Sequence, residues 1–195
     1  MKTRIKVKGS FTVEAALVLM FFSGISVTFL NYVIAMNVKG QLDRTSYSIV
    51  TVIAERKQFF GGDVNLCKVT DLTCSEIKKE IDNLATSSLK RVLPNFDREK
   101  LGIYVEQLSV EGGGESSFRK EYKSFSMGNL DGCNLPNVNS LSLADAKELL
   151  PTTSHNRKLP LYQITLCYDT PFNIFGANDG SVVKTVSTSF SFARV

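Results

Sequence analysis

The sequence has no proline before Pro94 and no charged residue between Ala15 and Ala35. Proline interrupts helices because it lacks an N–H and its ring clashes with the preceding turn, so its absence allows one long helix here. The uncharged window of 21 residues would span about 31 Å as a helix, the thickness of the hydrocarbon core of a bilayer. These two absences predict a membrane-spanning helix, and the mixed composition of the remaining chain predicts a soluble domain.

Residue types that carry catalysis or bind metals are scarce. His155 is the only histidine, and its polar neighbours in "TTSHNRK" predict a solvated loop residue. No CxxC or HxxxH pair occurs, no nucleophile elbow is present, and the glycine-rich "EGGGES" at 111–116 lacks the lysine of a phosphate-binding loop. We therefore expect no enzyme, no metal and no other cofactor, although the sequence leaves a pair of catalytic carboxylates open.

The formal net charge of +4 comes from the N-terminus. Four basic residues precede Gly9 with no acidic residue among them, and without them the net charge is zero (Lys2, Arg4, Lys6, Lys8). Positive charge at one end of a membrane helix marks the cytoplasmic side. Because basic and aromatic residues form no joint stripe elsewhere, we expect no nucleic-acid partner.

Apolar periodicity predicts a helix from about Thr12 to about Gln58, with its first half in lipid. The second half is amphipathic, with apolar residues at helical spacing (Val38, Leu42, Ile49, Ile53). The paired glycines of "FFGGD" end it. A second helix is predicted over 73–94, with Thr73 and Glu76 at capping-box spacing and an apolar face (Ile77, Ile81, Leu84, Val92).

A period of two follows and predicts four strands, at 101–110, 116–127, 159–168 and 181–192. The third strand has one apolar face (Tyr162, Ile164, Leu166, Tyr168). The fourth has an apolar face (Val182, Val186, Phe190, Phe192) and a serine face that we expect to point away from the core (Ser187, Ser189, Ser191). "SLADAKELLP" predicts a short helix capped by Ser142.

These elements predict an α+β fold with a long N-terminal helix, a second helix and a small antiparallel sheet of about four strands. The predicted organisation is a basic leader, a transmembrane helix, an amphipathic continuation of that helix and a periplasmic α+β domain (1–9, 10–36, 37–60, 61–195).

Four cysteines follow the apolar segment (Cys67, Cys74, Cys133, Cys167). An even number in a domain outside the cytoplasm predicts two disulfides, for which three connectivities exist. The spacing of Cys67 and Cys74 suits a local bridge, which would leave Cys133 to pair with Cys167.

Three kinds of membrane segment compete for the N-terminus. A cleaved secretory signal would have a shorter apolar core and an A-x-A-like site, neither of which is present. A plain signal anchor gives no reason for Glu14 inside the apolar run. A prepilin-type signal needs a basic leader, a glycine, four residues, a glutamate and an apolar run, and the chain supplies them with Gly9, Ser10 and Glu14.

The motif "GSFTVEAALVLM" at 9–20 resembles the start of the TadE/TadF-like minor pseudopilins of tight-adherence pili. The segment "GQLDRTSYSIVTVIAERKQFF" at 40–60 resembles the TadF branch. Many type IV pilins have phenylalanine where this chain has Ser10, and the Flp major pilin has tyrosine where it has Ala15. Both departures fit a minor rather than a major subunit.

The resemblance implies cleavage between Gly9 and Ser10 by an aspartyl prepilin peptidase. It also implies that Glu14 pairs with the α-amine of an adjacent subunit, whereas a carboxylate that merely reaches the lipid headgroups is the alternative. The implied partners are a TadE-like pseudopilin, the Flp major pilin and the Tad inner-membrane assembly platform.

The implied function is a non-enzymatic subunit that initiates or tips a tight-adherence pilus in adherence and biofilm formation. It would be a single-pass protein of the bacterial inner membrane, with a cytoplasmic N-terminus, a periplasmic domain and incorporation into a surface pilus. The alternative is a bitopic inner-membrane protein whose external domain binds a ligand or another protein. Likewise, "TSYSIV" at 45–50 packs either on the chain's own domain or on a partner helix.

Overall fold

The computed structural model describes residues 10–55, 66, 71–112, 118–170 and 183–194. Within these ranges lie three α-helices and four strands, in the order α1 (Ser10–Ala54), α2 (Asp71–Val92), β1 (Leu101–Glu111), β2 (Arg119–Gly128), α3 (Leu143–Leu149), β3 (Leu161–Thr170) and β4 (Val183–Phe192). Short 3-10 helices precede β1 and α3 (Arg98–Lys100, Val138–Ser140). The predicted α+β class, long N-terminal helix, second helix and four-stranded antiparallel sheet are all confirmed.

Helix α1 is continuous over 45 residues, as the lack of proline predicts. Neither Gly24 nor Gly40 interrupts it. It ends at Ala54, four residues before the predicted end, where the backbone N–H of Arg194 donates to the Ala54 carbonyl at 3.0 Å. The "FFGGD" segment lies outside the described residues.

The sheet is antiparallel throughout, with the strand order β2-β1-β3-β4. Its register aligns Val105 with Phe125 on one side and with Ile164 on the other, and Ile164 with Ser189. The central strands β1 and β3 are almost entirely buried. Both are covered on two faces, so their sequences are more apolar than those of the edge strands.

One face of the sheet packs against α1 and α2 and holds the main core. Its buried strand residues include the apolar face predicted for β3, here opposite the matching residues of β1 (Tyr162, Ile164, Leu166, Tyr168, Leu101, Ile103, Val105). The other face packs against α3 and the connection that precedes it (Leu108, Val110, Leu161, Val138, Ala146, Leu150). Ser142 caps α3 in a capping box with Asp145, as predicted.

Helix α2 differs from its prediction at both ends. It begins at Asp71, so Thr73 lies inside the helix and is not its N-cap. Its buried face has a spacing of four residues (Ile77, Ile81, Ala85, Leu89), while Leu84 is partly buried and Val92 is 42% exposed. The apolar row continues to Leu93, beyond the last helical turn, which turns Val92 away from the sheet.

Strand β4 presents the opposite face from the one predicted. The serine face lies against α1, with Ser187 almost completely buried, while Phe190 is 60% exposed. The Ser46 hydroxyl of α1 lies 3.0 Å from the Ser187 hydroxyl and 2.8 Å from the Ser189 hydroxyl. Serines are small and can hydrogen-bond each other, so they allow the helix to approach the strand more closely than phenylalanines would.

Glycine at position 102 allows a close approach between β1 and the chain that follows β2. A Cβ on Gly102 would collide with the backbone carbonyl of Asn129 and with the Leu130 side chain, whereas a Cβ on Gly40 would meet nothing within 4 Å. We expect Gly102→Ala to lower the free energy of unfolding by about 1–3 kcal/mol through overpacking. Denaturant unfolding of the detergent-solubilised full chain measures this effect.

The matched control is Gly40→Ala, at an open helical position. It should leave stability unchanged or raise it by up to about 1 kcal/mol, the difference in helix propensity between glycine and alanine. Equal unfolding midpoints for Gly102→Ala and the wild type would contradict the inferred collision.

Candidate processing and assembly site

The predicted processing and assembly residues lie at the start of α1. Ser10 is the first residue of the helix, whereas Gly9 and the leader lie outside the described residues. Glu14 follows four residues later, on the same side of the helix as Ser10 and about 6 Å further along its axis. The first turn of α1 therefore places Glu14 about one helical turn from the Ser10 backbone.

The surface around Glu14 is apolar and exposed. Glu14 itself is exposed, and Phe11 beside it is 81% exposed. Exposed apolar side chains continue along α1 to Met36, and the helix is long and apolar enough to cross a membrane. This long apolar helix fits a single-pass membrane anchor. In that setting Glu14 lies where another helix in the membrane could reach it.

The second half of α1 joins the anchor to the soluble domain. A stripe at helical spacing is buried against the sheet and α2 (Val38, Leu42, Ser46, Ile49, Ile53), whereas Tyr47 on the opposite side is 63% exposed. Most of "TSYSIV" therefore packs on the chain's own domain. The anchor and the domain share this helix without a linker.

Polar contacts flank the stripe at both ends. Near the anchor, the Lys39 ammonium donates to the backbone carbonyl of Val186 on the edge strand β4, at 3.1 Å. At the far end, the Arg194 guanidinium donates to the Glu55 carboxylate at 2.6 Å. Helix α1 and strand β4 consequently run in the same direction and are held at both ends of their contact.

A disulfide joins Cys133 to Cys167, with the two Cα atoms 6.4 Å apart. Cys167 is buried on β3, so the bond ties the connection between β2 and α3 to the middle of the sheet. Cys74 is also disulfide-bonded. Its predicted partner, Cys67, lies outside the described residues, and the pairing of Cys67 with Cys74 stays a prediction.

A buried carboxylate that the sequence analysis did not single out lies on the other face of the sheet. Glu106 on β1 is only 1% exposed. Its Oε1 accepts from the Tyr122 hydroxyl at 2.8 Å and from the Val138 N–H at 3.3 Å. Its Oε2 accepts from the Gln163 amide at 2.8 Å. Three donors thus compensate the burial of the charge.

Tyr122 serves as a donor in this cluster. Burial raises the pKa of its phenol well above the ordinary value, and the hydrogen bonds to Tyr104 and Glu106 raise it further. The phenol therefore stays neutral and keeps donating to Glu106 at physiological pH. The one available signal in the sequence was a carboxylate within the otherwise largely apolar strand "LGIYVEQLSV".

The geometry favours a structural role for Glu106. Its oxygens are occupied by donors from β2, β3 and the connection that precedes α3. Across the described ranges, no group of three or more histidine, cysteine or acidic residues is close enough to hold a metal ion. His155 is exposed. Glu106 thus fastens the chain around Val138 to the sheet.

Replacing Glu106 with alanine should destabilise the domain. Glu106→Ala removes the acceptor of the Gln163 amide, of the Val138 N–H and of the partly buried Tyr122 hydroxyl, which we expect to cost about 3 kcal/mol. The denaturation midpoint of the full chain in detergent measures the loss. Glu111→Ala, at the exposed end of the same strand, is the control and should change stability little; identical losses for both variants would refute this role.

A family model gives independent information about the chain. The model of TadF, tight adherence pilin protein F, matches residues 2–194. The match therefore includes the predicted leader, the whole of α1 and the soluble domain. No curated protein and no solved structure matches the chain.

Proposed function

This chain belongs to the TadF family of tight adherence pilin proteins, and from that membership we propose that it is a minor pilin subunit needed to build a tight-adherence type IV pilus. The observation that carries the proposal is the architecture of α1. Its first half exposes an apolar surface with Glu14 near the start, and its second half is packed into an α+β domain. A subunit built in this way can hold its domain at a fixed place relative to neighbours in a membrane or a fibre.

The proposed maturation step is cleavage between Gly9 and Ser10 by a prepilin peptidase. Glycine has no side chain, so an extended backbone can enter a membrane-embedded protease cleft closely. The basic leader keeps this end on the cytoplasmic side, where the peptidase cuts. Gly9 and Ser10 are then substrate residues, and the cut leaves a free α-amine on Ser10.

Glu14 is the proposed assembly residue. A carboxylate within lipid is costly by itself, but it becomes favourable when an ammonium group pairs with it in the same low-dielectric surroundings. The mature Ser10 amine of an adjacent subunit is such a partner. Because the uncleaved chain has no amine at Ser10, cleavage would switch on the pairing and select one axial offset between subunits.

The proposed partners are a TadE-like minor pseudopilin, the Flp major pilin and the inner-membrane assembly platform. We place the soluble domain in the periplasm and assign the subunit to pilus initiation or to the tip. A receptor for small ligands has less support. The cavity between α1 and α2 has a volume of about 40 Å³, well below the few hundred Å³ of common ligand pockets, and the larger depression of about 600 Å³ along α2 is wide open to solvent.

The processing proposal is tested with a bulky residue at the cut site. Gly9→Leu should block entry into the protease cleft, so the membrane fraction should contain almost only a precursor that is longer by nine residues. Intact-mass spectrometry of the purified protein distinguishes the two forms. Gly40→Leu, a bulky substitution at an open position of α1, should leave cleavage normal.

Two results would exclude this processing step. One is a mature chain that begins at Met1 in a host with the matching peptidase. The other is normal release of Ser10 from the Gly9→Leu chain.

The assembly proposal predicts that loss of Glu14 affects the number of surface pili but not insertion of the subunit into the membrane. Glu14→Ala should leave membrane insertion and Gly9–Ser10 cleavage intact, because it removes a charge from the apolar segment. Surface pili should fall sharply, because the Ser10 amine of a neighbour loses its carboxylate in lipid. Electron microscopy of shed or attached pili provides the count.

The control for this variant is Asp43→Ala. Asp43 is an exposed carboxylate further along α1 that pairs loosely with Lys39, at 3.7 Å, and its loss should leave piliation unchanged. Wild-type numbers of pili in Glu14→Ala cells would end the proposed role of Glu14 without affecting the processing result.

A further inference from the structure

The end of α2 lies at the membrane side of the soluble domain. The Ser46 contact places that residue level with Ser187 and Ser189 of β4. The sheet register continues to Thr185, which pairs with Tyr168, and Tyr168 pairs with Leu101. From the level of Ser46 to the level of Thr185 is about three strand residues, or about 10 Å. The same distance along α1 is about seven residues toward its N-terminus, so Thr185 and Tyr168 lie level with Lys39.

The chain that leaves α2 is fastened at this same level. The Phe96 ring stacks on Tyr168 with centroids 5.7 Å apart, and the Asp97 N–H donates to the Tyr168 hydroxyl at 3.1 Å. At the other end of α2, Ile77 lines the same small cavity as Val52 of α1. Helix α2 therefore runs back toward the membrane, antiparallel to α1.

The distance to the bilayer is short. Lys39 is the first charged residue after Glu14 and lies four residues beyond Ala35, an axial rise of about 6 Å. The headgroup layer of one leaflet is about 5–8 Å thick. If α1 crosses the bilayer over its uncharged window, the last turn of α2 reaches the headgroups.

The last turn of α2 carries positive charge without compensation. Lys90 and Arg91 are exposed in it, and the sequence has no acidic residue between Asp82 and Asp97. Neither forms an ion pair with any residue that the structure describes. The next charged residues, at 97–100, carry two charges of each sign, so their net charge is zero.

Val92 adds an apolar contact to this end. It is 42% exposed beside the two cations, a combination that suits the boundary between headgroups and acyl chains. We call Lys90, Arg91 and Val92 the basic tip. Anionic phospholipid carries the charge that complements the basic tip. It also lies within reach, because α1 holds the tip at the level of the headgroups.

We propose that the basic tip docks on anionic phospholipid headgroups of the leaflet from which α1 emerges. The docking sets the tilt of the soluble domain on the membrane before any other subunit binds. This inference requires only that α1 is the membrane anchor, and it is independent of the roles of Gly9 and Glu14.

The test uses the isotope-labelled full chain in nanodiscs that contain a headgroup spin-labelled lipid. Paramagnetic broadening of the amides of residues 90–92 is compared between phosphatidylcholine discs and discs that also contain phosphatidylglycerol. Residues 143–149 of α3 are the internal reference, because α3 packs near the far end of the sheet against Leu108 and Leu161.

Phosphatidylglycerol should increase broadening at the tip and leave α3 unchanged. Reversing both charges in Lys90→Glu/Arg91→Glu should lower the docked-to-undocked ratio on the order of tenfold or more. High salt should also reduce docking, since the Debye length falls to about 3 Å at 1 M.

The matched control is Lys79→Glu, which reverses an exposed charge near the start of α2, and it should keep the wild-type lipid response. Equal broadening of the tip in both lipid compositions would overturn the proposal. An unchanged response in the double variant would overturn it as well. The discs contain no other pilus protein, so neither result depends on pilus assembly.

Discussion

The packing of α1 on β4 is the contact on which the rest of the structure depends. Three small hydroxyl side chains, Ser46, Ser187 and Ser189, meet there within 3.0 Å. The close approach brings the apolar stripe of α1 over the sheet, where Leu42 and Ile49 become completely buried. Larger side chains at the serine positions would lift the helix and open the core beneath it. The helix that is long and apolar enough to cross a membrane is therefore also the helix on which the domain packs.

The opposite face of the sheet is stabilised differently, because among the residues that the structure describes no long helix covers it. Helix α3 has only seven residues, too few to be stable by itself. The disulfide between Cys133 and Cys167 and the hydrogen bond from Val138 to Glu106 hold the connection that precedes it. Covalent and polar contacts thus reinforce the smaller apolar cluster on this face, whereas apolar packing dominates on the other. The disulfide on β3, the Glu106 hydrogen bonds on β1 and the main apolar core all involve the two central strands. Order on one face of the sheet therefore stabilises the other face.

The sequence predicted most of the helices and strands, because their signals are local. A long apolar run without proline predicts α1, and alternating apolar and polar residues predict the strands. Neither pattern depends on which elements pack together. The prediction of which face of β4 packs on α1 was wrong. The alternation rule assigns apolar residues to the core, whereas close packing with α1 selects serines. Glu106 was missed for a related reason, since its donors come from Tyr122, Gln163 and Val138, which are distant in sequence. Long-range contacts of this kind have no periodic signature.

The rigidity of α1 gives a physical meaning to the position of Glu14. From Glu14 to Ser46 the helix is continuous, a distance of about 48 Å along its axis. In the proposed subunit, pairing between Glu14 and a neighbour's Ser10 amine fixes the axial offset of two helices. A slip by one turn would separate the charges in lipid and also shift one domain by about 5.4 Å against the next. An offset chosen inside the membrane is therefore imposed on the soluble domains, because α1 is built into the domain that it carries.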